Sequence, residues 1–275
     1  MKVIENLIEA NDVSNDELRL LWSTLIHEAE AQAKASSMVG PFISRMLLGH
    51  ATMELALANL LVESFGEDIV QPARQKEAFH AVLQRDPGIR IRVMQDICSF
   101  YKRDPACERM YHVLLYYKGF QALLCHRIAH FYWNEGQSES ARYLNYLASR
   151  RFAVDIHPGA RIAGGVFLDH GTGIVIGETA VVERNVSIMQ NVTLGGTGKE
   201  TKDRHPKISE GVLIGAGAKL LGNIRVGSFS KVGAGTILLK ETPSRVTVVG
   251  VPGRVVGKPK ENVPSDSMNQ EIEGS

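Results

Sequence analysis

Three histidines stand in the second half of the chain: His157, His170 and His205. Aspartates accompany the first two, Asp155 just ahead of His157 and Asp169 directly before His170. A carboxylate beside an imidazole fixes the tautomer of the ring and supports the charge it gains on taking a proton. Such a pair has the parts of a general base acting on a hydroxyl. Asp155 and His170 are 15 residues apart, slightly less than a coil length that emerges below, so they can lie on neighbouring coils and meet. A surface ion pair is the plainer use of the same residues. Arg204 and His205 add a guanidinium and a third ring within a polar stretch running from Gly198 to Lys207.

Other candidates carry less. His126 and His130 are spaced for one helix face, but the zinc-protease pattern needs Glu directly after the first His, and Arg127 is there. They read as a helix-face or interface pair. Phe131, Tyr132 and Trp133, with Tyr143 and Tyr146, read as core or oligomer interface. Cys98, Cys107 and Cys125 match neither a zinc pattern nor a disulfide framework, which leaves reduced, buried thiols in a cytoplasmic protein. No metal site is expected. With 31 basic and 30 acidic residues the net charge is +1, which excludes a polybasic nucleic-acid or membrane-surface protein. Met1 to Glu9 lacks the pattern of a signal peptide, and no apolar run is long enough for a spanning helix.

The elements that position these residues fall into two kinds. Of the 26 glycines in the 275 residues, 6 lie in residues 1–150 and 20 in the remainder. Of the 18 aromatics, 15 lie in the first part and 3 in the second. The first part reads as helices. Ser14 with Glu17 forms a capping box ahead of Leu18, Leu21, Trp22, Leu25 and Ile26, and residues 14–36 follow helical spacing. Further helices are expected over His50–Glu63, Ala73–Leu83, Lys118–Asn134 and Gln137–Phe152. Asp86-Pro87 and Asp104-Pro105 each read as an N-cap followed by proline at the first helical position.

From Ile156 the period becomes six. Aliphatic residues recur at Ile156, Ile162, Leu168 and Ile174, Ala180 takes the next place, and Val186 and Val192 follow. After an offset of 16 the series resumes at Ile208, Ile214, Leu220, Val226, Val232 and Leu238. This period is the signature of a parallel β-helix, and in the left-handed form three hexads make one triangular coil. The narrow interior excludes large aromatics and the tight corners favour glycine, which accounts for the compositional split. The insertion, 198–207, must leave the prism as a loop, the usual place for function on a rigid scaffold. The fold class is therefore α+β, with an N-terminal all-α domain followed by a left-handed parallel β-helix of hexapeptide repeats. The helical assembly domain spans 1–153, the β-helix 154–258, and the polar tail 259–275 is expected to be disordered.

Several stretches resemble bacterial serine acetyltransferases of the hexapeptide-repeat acyltransferase superfamily. They are the Asp155-Ile-His-Pro-Gly-Ala, Leu168-Asp-His-Gly-Thr-Gly-Ile, Val192-Thr-Leu-Gly-Gly-Thr-Gly-Lys, Asp203-Arg-His-Pro-Lys and Gly250-Val-Pro-Gly-Arg segments. In the helical part, Arg103-Asp-Pro-Ala and Leu115-Tyr-Tyr-Lys-Gly-Phe are similar too. The resemblance implies transfer of acetyl from acetyl-CoA, a co-substrate, to the hydroxyl of L-serine, giving O-acetyl-L-serine and CoA on the way to cysteine. It implies His170 as general base with Asp155 as its partner. It also implies Asp104, Asp169, Arg204 and His205 around the serine zwitterion, where carboxylates suit the ammonium and a guanidinium the carboxylate. His205 could instead steady the oxyanion. Asp104 by itself reads as a helix N-cap.

For CoA the same resemblance implies a groove between neighbouring prisms. There Gly195, Gly196, Ala216 and Ala234 leave room and Lys231 could meet a phosphate. It further implies a homotrimer or a dimer of trimers, and inhibition by L-cysteine at the serine site. A terminal isoleucine docks on O-acetylserine sulfhydrylase in such proteins. Here Ile272 is followed by Glu273, Gly274 and Ser275, which puts that complex in doubt. An acetyltransferase of a sugar hydroxyl would share the acid–base pair but leave Asp104 and Arg204 without purpose. A γ-type zinc carbonic anhydrase would use three histidines on the same prism, but the spacings of His157, His170 and His205 and the helical domain argue against it. A regulatory subunit without activity would not need the Asp155 and His170 pair.

Overall fold

The computed structural model describes residues 13–198 and 201–272. Met1 to Glu9, the stretch that lacks a signal-peptide pattern, lie outside the described residues, as do Lys199, Glu200 and the three residues after Ile272. Helix α1 (Asn15–Ala35) opens on the expected capping box: the Glu17 N–H donates to Ser14 Oγ at 3.2 Å and the Ser14 N–H to Glu17 Oε2 at 2.9 Å. After the short α2 (Gly40–Ile43) come α3 (Met53–Phe65), α4 (Pro72–Arg85) and α5 (Pro87–Arg103). Helix α3 starts behind the Thr52 hydroxyl rather than at His50. Then follow α6 (Met110–Tyr116), α7 (Lys118–Asn134) and α8 (Ser138–Phe152).

Asp86 caps α5 as expected, accepting from the Gly88 N–H at 2.8 Å. Asp104 does not begin a helix. It ends α5 and accepts from the Ala106 N–H at 2.8 Å, a turn that Asp-Pro forms as readily as a cap.

The chain then winds into a three-faced parallel prism. Face A stacks β1 (Val154–Ile156), β4 (Ile174–Ile176), β7 (Thr193–Gly195), β10 (Lys219–Leu221) and β13 (Ile237–Leu238). Face B stacks β2 (Arg161–Ile162), β5 (Val181–Val182), β8 (Lys207–Ile208) and β11 (Arg225–Val226). Face C stacks β3 (Phe167–Leu168), β6 (Ser187–Ile188), β9 (Leu213–Ile214), β12 (Lys231–Val232) and β14 (Thr247–Val249), closed by the antiparallel β15 (Arg254–Gly257).

The register departs from the even hexads in one place that matters. Asp155 pairs with Val175, a step of 20 residues, whereas Val175 pairs with Thr193, a step of 18. The buried ladder is therefore Ile156, Ile176, Leu194, Leu220 and Leu238. Ile174 and Val192 are buried as well, but two places off this ladder, and Ala180 and Val186 lie two places off Val182 and Ile188, the equivalent buried places of faces B and C. Residues two apart on a strand share a face, so aliphatics at both places hide the shift. The two additional residues fall in the corner between β3 and β4, where His170, Gly171 and Gly173 all have positive φ. The later insertion is then eight residues, since Val181 pairs with Lys207 at a step of 26.

The helices grip the first coil. Phe167 points into an aromatic cluster, its ring 4.7 Å from Phe100, which also meets Phe120. Arg127 and Asp96 form a buried ion pair at 2.6 Å. Arg127 also donates to the Ile162 and Ala163 carbonyls, and Asp96 accepts from the Val166 N–H. Burial raises the Asp96 carboxyl to about 6 in spite of its partner. Gly119 allows α7 to approach β3, for a Cβ there would stand 2.2 Å from the Leu168 carbonyl oxygen.

Residues 259–272, which polar composition alone would leave disordered, lie back along the prism. In α9 (Pro264–Ser267), Asp266 pairs with Lys102 at 2.7 Å and Arg103 at 2.8 Å, and the Ser265 carbonyl accepts from Ser187 Oγ at 2.8 Å. These anchors are polar, so hydropathy gives no sign of them. No described helix is long and apolar enough to cross a membrane.

Candidate active site

The corner with the two additional residues carries His170 on the edge where the chain passes from face C to face A. Opposite it, the end of α5 and the start of α7 bring up Asp104, Tyr117 and Lys118. Together with Tyr116, Gly119, Leu168 and Asp169 these residues enclose a cavity of about 390 Å³. His170 Nε2 stands 3.8 Å from Asp169 Oδ1, and the His170 side chain is 70% exposed, free to meet a substrate. Burial raises the Asp169 carboxyl; the His170 ring opposes this and Asp104 adds to it. Tyr117 hydrogen bonds to Asp104, and burial with this bond pushes its phenol up. Lys118 Nζ holds the Thr172 hydroxyl and so pins the His170 turn.

Asp155 lies on β1, and its Oδ1 accepts from Asn145 Nδ2 at 3.2 Å. No hydrogen bond or ion pair joins it to His170 among the described residues. The turn after His170 is nevertheless bonded to the start of the same strand, Gly173 N–H to Ala153 O at 2.7 Å. Asp104, Asp169 and His170 therefore share one cavity, with Asp155 on the adjoining face.

Arg204 and His205 are elsewhere. They lie on the opposite edge of face A, where the chain leaves for face B. Arg204 Nη2 pairs with Glu178 Oε2 at 2.6 Å, which holds the Glu178 carboxyl below its usual range. The Thr179 hydroxyl accepts from the Arg204 and His205 N–H groups at 3.0 and 3.1 Å. The Thr179 N–H donates to His205 Nδ1 at 3.2 Å, so in the neutral ring the proton is on Nε2. Burial lowers the His205 pKa, and Arg204 and Lys207 lower it further, which keeps the ring neutral and Nε2 a donor. Gly177 makes room for it: a Cβ there would be 2.0 Å from Nε2. His157 is on this edge too, its ring against Trp133 at 5.0 Å, so it does not converge with His170.

The residues expected at CoA straddle the same face. Gly195 ends β7 and Gly196 follows it on the Arg204 edge, with Gly196 next to Arg204 Cγ. Ala216 and Ala234 precede β10 and β13 on the His170 edge. Lys231 is 3% exposed and engaged by the tail, donating to the Glu271 carbonyl at 2.9 Å and pairing with Glu261 at 3.6 Å.

Residues 21–125 match the family model described as serine acetyltransferase, N-terminal. Over 262 residues the chain is 45% identical to the serine acetyltransferase of Escherichia coli (strain K12), covering 95% of this chain and 96% of the relative. The chain belongs to the serine acetyltransferase family. It transfers acetyl from acetyl-CoA to serine, the first step of cysteine biosynthesis. The crystal structure of the Vibrio cholerae serine acetyltransferase agrees in fold: TM-score 0.90 at 44% identity, over 93% of this chain and 99% of that one. The prism is accordingly the left-handed β-helix of this family. A serine acetyltransferase in complex with cysteine matches with TM-score 0.89 at 43% identity, over 93% and 99%.

Sequence reasoning gave roles to neither Thr179, Glu178 and Gly177, which shape the Arg204 edge, nor Tyr117, Lys118 and Gly119, which build the cavity wall. The last three sit in the Leu115-to-Phe120 segment already singled out. Thr179 and Glu178 occupy corner places that the six-residue period leaves free, so no pattern marks them.

Proposed function

We propose that His170 is the general base of the reaction and Asp155 the partner of its ring. The observation that carries this reading is the cavity that His170 shares with two carboxylates, Asp104 and Asp169. Those carboxylates receive the serine ammonium and bring the hydroxyl to the imidazole. His170 takes the hydroxyl proton as the oxygen attacks the thioester carbon of acetyl-CoA. The carbon–sulfur bond then breaks, the CoA thiolate leaves, and His170 returns the proton to it. No side chain is acylated, because the thioester is already activated.

Arg204 suits the serine carboxylate, and the Nε2–H of His205 suits the developing oxyanion. One chain holds them on the far edge of face A from His170. Two copies packed side by side bring the Arg204 edge of one against the His170 edge of the other, and a closed ring of three repeats that contact. The groove between them takes CoA along Gly195 and Gly196 on one side and Ala216 and Ala234 on the other, while Lys231 serves the tail. Cysteine, with the same ammonium and carboxylate, competes for the serine place. Three buried free thiols suit the reducing cytoplasm. Ile272 rests over Gly233, and its part in an O-acetylserine sulfhydrylase complex stays a doubtful one because three residues follow it.

The test is thiol release from acetyl-CoA with serine, in the unaltered enzyme and in His170→Ala. Loss of the base lowers turnover by about 10²–10⁴-fold with the assembly intact by light scattering. Turnover within threefold or so of the unaltered enzyme would refute the role of His170.

A further inference from the structure

The reaction as described leaves His126 without a task. Its side chain is buried on α7, with the residue 4% exposed, where α7, α8 and β1 meet. Nδ1 of the ring has no hydrogen-bond partner among the described residues, and neither has Oδ1 of Asn145 on α8. Buried polar atoms are rarely left so, and a bridging water is a common remedy. Both side chains line one small cavity, walled by Ala122, Ala129, Ala148 and Val154 among others. It leaves about 10 Å³ for the centre of a water molecule, close to what one water needs.

The polarity of the two atoms is informative. Asn145 Nδ2 donates to Asp155, so Oδ1 is the acceptor that remains. The His126 ring is hydrogen bonded to the Ala160 backbone in the sense that favours its protonated form, so the ring donates there. With Nδ1 unpartnered, that donor is Nε2. Burial keeps the ring neutral, and Nδ1 is then an acceptor. Two acceptors cannot bond to each other, whereas a water supplies two donors.

We propose that one buried water bridges His126 Nδ1 and Asn145 Oδ1, and that Asn145, held in this way, is the positioning residue for Asp155. The proposal rests on the reading of Asp155 as the partner of His170. The water locks the amide so that its NH₂ faces the carboxylate; turned over, Oδ1 would face Asp155 and repel it. His126 thus acts at two removes from the substrate, as a support.

A crystal structure of the unaltered enzyme that resolves ordered waters tests the first part. One water within hydrogen-bond distance of both atoms is expected, and a dry cavity overturns the proposal even where a variant fails to fold. Kinetics test the second part. Asn145→Leu lowers kcat about tenfold while KM for serine and for acetyl-CoA stays within about twofold. His126→Leu lowers kcat about threefold, and the double variant is no slower than Asn145→Leu alone, because the water acts only through Asn145. An unchanged kcat in Asn145→Leu overturns the proposal, as does a double variant whose loss is the product of the single ones. Asp155→Asn run alongside separates the two levels. If it is slow and Asn145→Leu is not, the positioning role alone fails; if Asp155→Asn turns over normally, the reading of Asp155 fails and the proposal with it.

Discussion

At the scale of single residues, the chemistry rests on carboxylates whose surroundings differ. The Asp169 carboxyl is raised from its ordinary value, mainly by burial. A raised pKa means that the proton returns at a higher pH than for a free aspartate. As pH falls, the hold on the serine ammonium proposed for Asp169 is therefore lost early. The serine KM of the unaltered enzyme is expected to climb on the acid side at a higher pH than titration of a free aspartate would give. Asp169→Asn should show a serine KM that is high throughout and lacks this acid rise; a rise of the same shape in both enzymes would contradict the role. Asp169 and His170 were legible in the sequence because they are adjacent and lie in a motif. The environment of Asp155 was not, since its hydrogen-bond partner Asn145 belongs to a helix face with no marked pattern. Asp104 was visible as a cap, but its turn and its bond to Tyr117 depend on where α7 lands, which is a tertiary fact.

At the scale of elements, the hexads announced the prism but misplaced one step of it. Ile174 and Ile176 are both aliphatic and both buried, so the period alone could not tell which continues the ladder. The displaced step is the corner that carries His170. The loop of 198–207 was legible as an interruption, though its anchor was not. That anchor is Thr179, whose side chain and backbone hold Arg204 and His205 through the hydrogen bonds described above. Thr179→Val keeps the volume and removes the hydroxyl. It is expected to raise the serine KM about tenfold by loosening the position of Arg204, with little change in melting temperature, as read by steady-state kinetics and calorimetry. An unaltered serine KM would show that the loop is held by other contacts.

At the scale of the whole molecule, the helical domain fixes the first coil so that the cavity wall and His170 face each other. The Asp96 and Arg127 pair is central to that grip and invisible in sequence, because its two members lie 31 residues apart on different helices. Arg127→Met leaves Asp96 buried and unpaired, and is expected to cost about 3–5 kcal/mol of stability in denaturant unfolding. The double variant with Asp96→Leu should recover part of that loss. No recovery would mean that the pair does little beyond filling space. The split between aromatic-rich and glycine-rich halves foretold two domains, but not that the expected site residues would fall on two edges of one face.

That division makes the shared site the central claim, and subunit mixing tests it most directly. His170→Ala and Arg204→Ala are each expected to be nearly inactive as pure proteins. Refolded together in equal amounts, they form rings in which about one contact in four joins an intact His170 to an intact Arg204 of the neighbour. The mixture should then regain about a quarter of the activity of the unaltered enzyme. Activity no greater than the average of the two pure variants would contradict a site built from two copies.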